Sequence, residues 1–283
     1  MVRLRSVLYI PGANERALQR AHELPADALI LDLEDAVAPA AKHEARATVC
    51  KALANGAYAG RPVAVRVNAI GTEWHEEDIA AAARSGASAI VVPKVAGAAD
   101  VAAVERSLEQ SDAPGELGIW AMIETPLGVL SASEIAAAGH RLSTLVVGVN
   151  DLESELRAQP ATDRAPLLAS LSLCVLAARA HGRRVLDGVY NDIRDLAGFE
   201  AECRQGRALG FDGKTVIHPS QIESCNRAFS PTDAELERAR RVIEAYERAA
   251  AAGHGVALLD GQIVEHLHVR GARELLATAG LQH

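Results

Sequence analysis

Ile119-Trp120-Ala121-Met122-Ile123-Glu124-Thr125-Pro126 and, one helical segment later, Leu145-Val146-Val147-Gly148-Val149-Asn150-Asp151-Leu152 are apolar runs that each stop in a carboxylate. Runs this short, without clean period-two alternation, read as buried parallel strands. One strand–helix repeat separates them, so in an alternating β/α fold Glu124 and Asp151 share one rim of a parallel sheet. Two acids on one rim, with room for water and substrate, suit a hard divalent cation such as Mg²⁺ or Mn²⁺. The competing structural reading makes each acid the N-cap of the helix that follows.

Outward from this pair the same unit recurs. Strand-like runs are expected at residues 6–10, 28–33, 63–68, 89–94, 185–190 and 214–219, with helices between them. Asn14 is placed to cap the first helix, and Gly56 and Gly86 to end the helices before them. Eight units in strict alternation predict an α/β fold of the (β/α)8 TIM-barrel class. A doubly wound sheet is the alternative, but Pro11-Gly12-Ala13-Asn14 lacks the G-x-G-x-x-G nucleotide loop. Residues 1–229 complete the barrel and 230–283 form a C-terminal extension. That extension reads as an amphipathic helix capped by Thr232 or Asp233, a hairpin turning at Asp260-Gly261, and a last helix from about residue 270 to 279.

Composition narrows the function classes. The 283 residues are 49% hydrophobic and only 3% aromatic, which favours packed helices over an aromatic β-sandwich. A net charge of −8, with no basic run interleaved with aromatics, argues against nucleic-acid binding. Cys50, Cys174, Cys203 and Cys225 form no C-x-x-C pair, so a zinc site or disulfide framework is not expected and a reducing cytoplasm fits. No apolar stretch reaches the ~18 residues that span a bilayer, and the N-terminus lacks a signal-peptide core. A soluble cytoplasmic protein is expected.

The polar residues fall at the carboxyl ends of the expected strands: Glu34 and Asp35, Arg66 and Asn68, Lys94, Glu124, Asp151, Asp187 and Asn191, and His218. Groups after seven of eight strands, converging on one barrel rim, describe an active site. Arg66 lies inside the apolar run Val63-Ala64-Val65-Arg66-Val67. It either clamps a substrate carboxylate with its planar fork or pairs structurally with Asp32 or Glu34. Lys94 reads as a charge-balancing group or, if desolvated, a Schiff-base lysine. Arg16 and Arg20, one turn apart on the first helix, either hold a phosphate or form a solvated face.

In this order, Arg5-Ser6-Val7-Leu8-Tyr9-Ile10-Pro11-Gly12, Asp32-Leu33-Glu34-Asp35-Ala36-Val37 with Lys42 and Arg46, Val65-Arg66-Val67-Asn68 with Gly71-Thr72, and Pro93-Lys94 carry a resemblance, together with Ile123-Glu124-Thr125, Asn150-Asp151-Leu152, Phe211-Asp212-Gly213-Lys214 and Ile217-His218-Pro219. Over nearly its whole length the chain resembles the citrate lyase β-subunit and its stand-alone relatives, the malyl- and citramalyl-CoA lyases. The resemblance implies a barrel assembled as a homo-oligomer, a trimer or hexamer. It implies Glu124 and Asp151 as Mg²⁺ ligands, Arg66 as the clamp on the keto-acid carboxylate, and Asn150, Asp151 and Leu152 against the substrate. It makes Glu34 and Asp35 the orienters of the metal's waters, Arg16 and Arg20 candidates for the CoA phosphates, and Asp260 the acid–base group that reaches a neighbouring subunit.

The implied reaction is a reversible carbon–carbon cleavage of a 3-hydroxyacyl-CoA thioester of the malyl, citramalyl or citryl type, giving a 2-keto acid and an acyl-CoA. Alternatives are a subunit acting on citryl-acyl-carrier protein and a metal-dependent aldolase acting on free 4-hydroxy-2-keto acids.

Overall fold

The computed structural model describes residues 3–56, 58, 60–159 and 163–280. Met1 and Val2, part of the N-terminus read above, lie outside them. Two compact units emerge, Leu4–Phe229 and a smaller one built from residues 230–280 with Arg3.

In the larger unit the chain alternates strand and helix. It begins β1 (Ser6–Pro11), α1 (Glu15–Ala21), β2 (Ala28–Asp32), α2 (Lys42–Ala54), β3 (Val63–Arg66) and α3 (His75–Ser85). It continues β4 (Ala89–Val92), α4 (Ala98–Gln110), β5 (Gly118–Ile123), then the short α5 (Pro126–Leu130) and α6 (Ala132–Ala137). It closes with β6 (Leu142–Val147), α7 (Val149–Leu156), α8 (Leu168–Ala180), β7 (Arg184–Asp187), α9 (Leu196–Leu209), β8 (Gly213–Val216) and α10 (Ile222–Ala228). The eight strands pair in parallel, and β8 closes onto β1, so the predicted (β/α)8 barrel is present.

Local chemistry sets the punctuation. The Asn14 side chain accepts the Ala17 N–H and starts α1, while Thr125 accepts the Gly128 N–H and starts α5 with Pro126 behind it. Gly86 and Gly210 stop α3 and α9 in the left-handed conformation.

Each strand is buried on both faces, and parity divides them. Ala28 and Ile30, Ala64, Ala89 and Val91, Trp120 and Met122, Val146 and Leu186 fill the barrel interior with Val7 and Tyr9. Their neighbours Leu29 and Leu31, Val63 and Val65, Ile119 and Ile123, Leu145 and Val185 pack outward against the helices. Extending interior parity to the strand ends selects Asp32, Arg66 and Glu124, all buried.

The structure corrects several element expectations. β6 ends at Val147, so Asp151 lies not on a strand end but in the first turn of α7. Asp187 has outward parity; its carboxylate is fully buried between the barrel and the helix layer, bonded to Arg164 at 2.8 Å and Lys214 at 3.1 Å. Asn68 lies beyond the end of β3 at Arg66, where strand parity no longer holds, and it turns to α3 and donates to Asp78 at 2.6 Å. Both leave the set of rim groups read from sequence, because a side chain at or just past a buried strand end points to either layer.

The smaller unit holds α11 (Asp233–Ala251), the antiparallel hairpin β9 (Ala257–Leu259) and β10 (Gln262–Val264), and α12 (His266–Thr278). Thr232 and Glu235 form the capping box of α11. Asp260 and Gly261 both take positive φ, 51° and 75°, as the hairpin turn requires. α12 starts a turn earlier than expected, with His268 accepting the Glu265 N–H at its mouth. Val242, Ile243, Val264, Val269 and Leu276 pack into this unit's own core. Among the described residues, no helix is long and apolar enough to cross a membrane.

Candidate active site

At the carboxyl end of the barrel a cavity of about 390 Å³ is lined by Tyr9, Asp32, Asp35, Arg66, Met122, Glu124, Asn150 and Asp151, with Val149, Val189, Asn191 and Ile217 among the rest. Each charged side chain reaches it for a local reason. Glu124 follows β5 with interior parity, and its Oε1 accepts the Lys94 backbone N–H at 2.8 Å. Lys94 makes that bond from a left-handed backbone, φ 56°. On the other side, Gly148 N–H donates to the Ile123 carbonyl at 3.0 Å. A Cβ on Gly148 would stand 2.3 Å from Glu124 Oε2, so the glycine leaves the carboxylate its room. Asp151, from the first turn of α7, lies 3.8 Å from Lys94 Nζ.

The donor set fits a hard cation. Burial, reinforced by the negative charge of Asp151, pushes the Glu124 carboxyl up to about 7; an adjacent divalent charge removes that penalty. Among the described residues, no group of three or more His, Cys, Asp or Glu side chains is arranged to hold a metal. Glu124 and Asp151 would offer such a cation two oxygen ligands, with its remaining positions left to water and substrate.

Arg66 faces the pair from β3. Its Nε and Nη2 donate to Asp32 Oδ1 and Oδ2 at 2.7 and 2.6 Å, its Nη1 meets Glu34 at 2.8 Å and Asp35 at 3.5 Å, and its guanidinium lies 5.0 Å from the Tyr9 ring centroid. Burial works to lower its pKa, but the bonds and charge of Asp32, with Tyr9 and Glu34, raise it well above the ordinary value. One edge of the fork is thus occupied by Asp32, the structural pairing that the sequence offered as the alternative to a substrate clamp. Both terminal nitrogens therefore already face carboxylates, Nη2 meeting Asp32 and Nη1 meeting Glu34 and Asp35, where Arg66 lines the cavity.

Glu34 is buried beside this guanidinium, and desolvation pushes its carboxyl up to about 7 although Arg66 pulls the other way. Asp35 is mostly exposed on the cavity rim. For Lys94, burial draws the ammonium pKa down, but Asp151, Glu34 and Glu124 outweigh it and raise the net value. That is the opposite of what an imine-forming amine needs.

Other expected site residues stand elsewhere. Leu152 is fully buried in the helix–strand core, so its side chain is a packing group. Arg16 and Arg20 are exposed on α1 and do not line the cavity. His218 opens a short 3₁₀ turn by accepting the Ser220 N–H. In the smaller unit, Asp260 pairs with Arg241 at 2.5 Å and Arg238 at 3.9 Å. Sequence reasoning passed over Tyr9, whose interior parity on β1 was the available signal. Asn150 and Asn191, both singled out in the sequence, bond to each other at 2.8 Å on the cavity wall.

A closed parallel barrel whose mouth holds two acids and a paired guanidinium in one cavity places the chain among barrel enzymes. The chain belongs to the HpcH/HpaI aldolase/citrate lyase family, whose profile matches residues 5–219. It is 52% identical over 275 residues to (3S)-malyl-CoA thioesterase of Cereibacter sphaeroides, covering 97% of this chain and 94% of that protein. It is 39% identical to the citrate lyase subunit beta of Escherichia coli, over 98% and 93% of the two chains. Among solved structures it is similar to CitE from Mycobacterium tuberculosis in complex with magnesium, acetoacetate and coenzyme A, with a TM-score of 0.82, 32% identity and 97% coverage of both chains.

Proposed function

We propose that this protein is a Mg²⁺-dependent enzyme acting on carboxylated 3-hydroxyacyl-CoA thioesters of the malyl type, and that it breaks the thioester by hydrolysis to a hydroxy acid and free CoA. The observation that carries the reading is the Glu124–Asp151 pair, sharing one cavity with Arg66. The full-length similarity to a malyl-CoA thioesterase supports hydrolysis as the bond-breaking step.

Bound Mg²⁺ supplies Lewis-acid polarisation of substrate oxygens. Glu124 and Asp151 hold it. Arg66, kept in orientation by Asp32 behind and Tyr9 beneath, pins the acyl carboxylate. Asn150 and Asn191 offer amide donors and acceptors on the opposite wall. Asp260, brought by the tail of a neighbouring copy in a homo-oligomer, is the acid–base group that takes a proton from the attacking water.

Carbon–carbon cleavage to a 2-keto acid and an acyl-CoA is the second reading, favoured by the similarity to a citrate lyase subunit. The deciding experiment incubates purified protein with malyl-CoA and Mg²⁺ and follows products. Free CoA with malate is expected. Glyoxylate with acetyl-CoA transfers the assignment to the lyase, and no turnover of any CoA ester overturns both. Turnover only of a thioester on acyl-carrier protein, or of free 4-hydroxy-2-keto acids, moves the protein to one of the two remaining alternatives.

A further inference from the structure

Lys42 is a buried cation that the site chemistry above does not use. Its side chain is 6% exposed, and its ammonium donates to two backbone carbonyls, Leu33 O and Glu34 O, both at 2.9 Å. Its remaining face lies 5.1 Å from the centroid of the Trp74 ring. No carboxylate among the described residues stands within ion-pair distance of it. Burying an ammonium against dipoles and a π-face alone costs stability that an apolar residue would not. The place it occupies explains the expense: the two carbonyls open the segment that carries Glu34 and Asp35 to Arg66.

That segment is held from three directions. Asp32 accepts the N–H groups of Glu34 and Ala36 at 2.9 and 3.1 Å, from the same carboxylate that binds Arg66. Asn68 donates to Leu33 O at 3.1 Å and is itself fixed by Asp78, which Arg46 holds at 2.7 Å. Lys42 supplies the third hold from the first turn of α2, and through Trp74 it ties this loop to the start of α3. Without it the Leu33 and Glu34 carbonyls lose their shared donor.

We infer that Lys42 is a positioning residue that clamps the loop after β2, so that Glu34 and Asp35 stay against Arg66 and fix the place of its guanidinium at the cavity where the substrate carboxylate binds. The kinetic consequence rests on the function proposed above. The structural consequence does not.

The test compares wild type with Lys42→Met, which keeps length and loses charge and donors, and Lys42→Arg, which keeps both. Hydrogen exchange is followed by mass spectrometry on peptides covering residues 33–37, with peptides from β5 and β6 as internal controls. In Lys42→Met, exchange at 33–37 should rise at least tenfold while the controls stay unchanged, and Lys42→Arg should recover at least part of the protection. With malyl-CoA, KM should rise about tenfold or more in Lys42→Met, with kcat and calorimetric Mg²⁺ affinity changed less than threefold.

Unaltered exchange at 33–37, or a loss spread equally over the controls, overturns the clamp. Faster exchange with an unchanged KM overturns the coupling to substrate. If wild type does not turn over malyl-CoA, the function reading fails, and the exchange data still decide the clamp.

Discussion

The Asp32 carboxylate occupies the Nε–Nη2 edge of Arg66 with both oxygens, at 2.7 and 2.6 Å, inside the mouth of the barrel. A guanidinium so tethered is held in one orientation, and it keeps a counter-charge whether or not substrate is present.

Asp32→Asn tests that tether. The amide cannot accept on both sides, so a buried cation is left half-paired, at a cost of about 3–5 kcal/mol. Denaturant unfolding should show that loss. Malyl-CoA KM should rise, and Arg66→Lys should impair binding at least as strongly, because a point charge cannot serve Asp32 and a substrate carboxylate together. An Asp32→Asn protein as stable as wild type would refute the tether.

Metal binding has its own readout. Glu124→Ala and Asp151→Ala should each abolish Mg²⁺ binding in calorimetry, and chelation should silence the wild-type enzyme until Mg²⁺ is restored. Gly148→Ala should weaken Mg²⁺ affinity at least tenfold without touching a ligand, since its Cβ would stand 2.3 Å from Glu124 Oε2. Wild-type affinity in Gly148→Ala would show that the carboxylate does not need the place the structure gives it.

Glu34 sets a pH dependence in the metal-free protein. Desolvation raises its folded pKa to about 7, above the ordinary glutamate value of about 4.3. Between those values the folded state binds more protons than the unfolded one, so the contribution to stability is present below about pH 4.3 and is lost as pH rises towards 7. Glu34→Gln removes the titration. Relative to that variant, wild type should lose melting temperature from pH 4.5 to 7 and hold a constant difference above pH 8. A difference that is flat across this range would contradict the burial-driven shift.

The cavity wall also predicts selectivity. Arg66 is already paired with Asp32 and Glu34, Lys94 lies beside Asp151, and the facing wall is Val149, Val189, Ile217 and the Asn150–Asn191 pair. A citryl group would bring a further carboxylate to a wall without a free cation, whereas malyl and citramalyl groups bring hydrogen or methyl. Measured kcat/KM should fall at least a hundredfold for citryl-CoA relative to malyl-CoA. Comparable values would reject this account of the wall.

Much of this was legible in the chain itself. Repeated short apolar runs with acids at their ends dictated alternating parallel strands, because a strand covered by helices on one side and barrel core on the other tolerates no polar face. Glu124 was found that way, and Asp151 with it although it stands one turn into α7; the Asp260-Gly261 turn was legible because few other residue pairs accept its positive φ values.

Tertiary structure alone decided which strand-end groups share a cavity. Asp187 sits at a strand end as Arg66 does, and Asn68 just beyond one, yet their carboxylate and amide face the helix layer. Side-chain direction depends on barrel parity and on where each strand stops, and both are settled by closure of the sheet rather than by local pattern. Closure likewise brings Asp32, 34 residues away in sequence, against Arg66. It also brings Lys42 beneath the loop that faces them, since a buried charge is stable only where distant chain segments supply its partners.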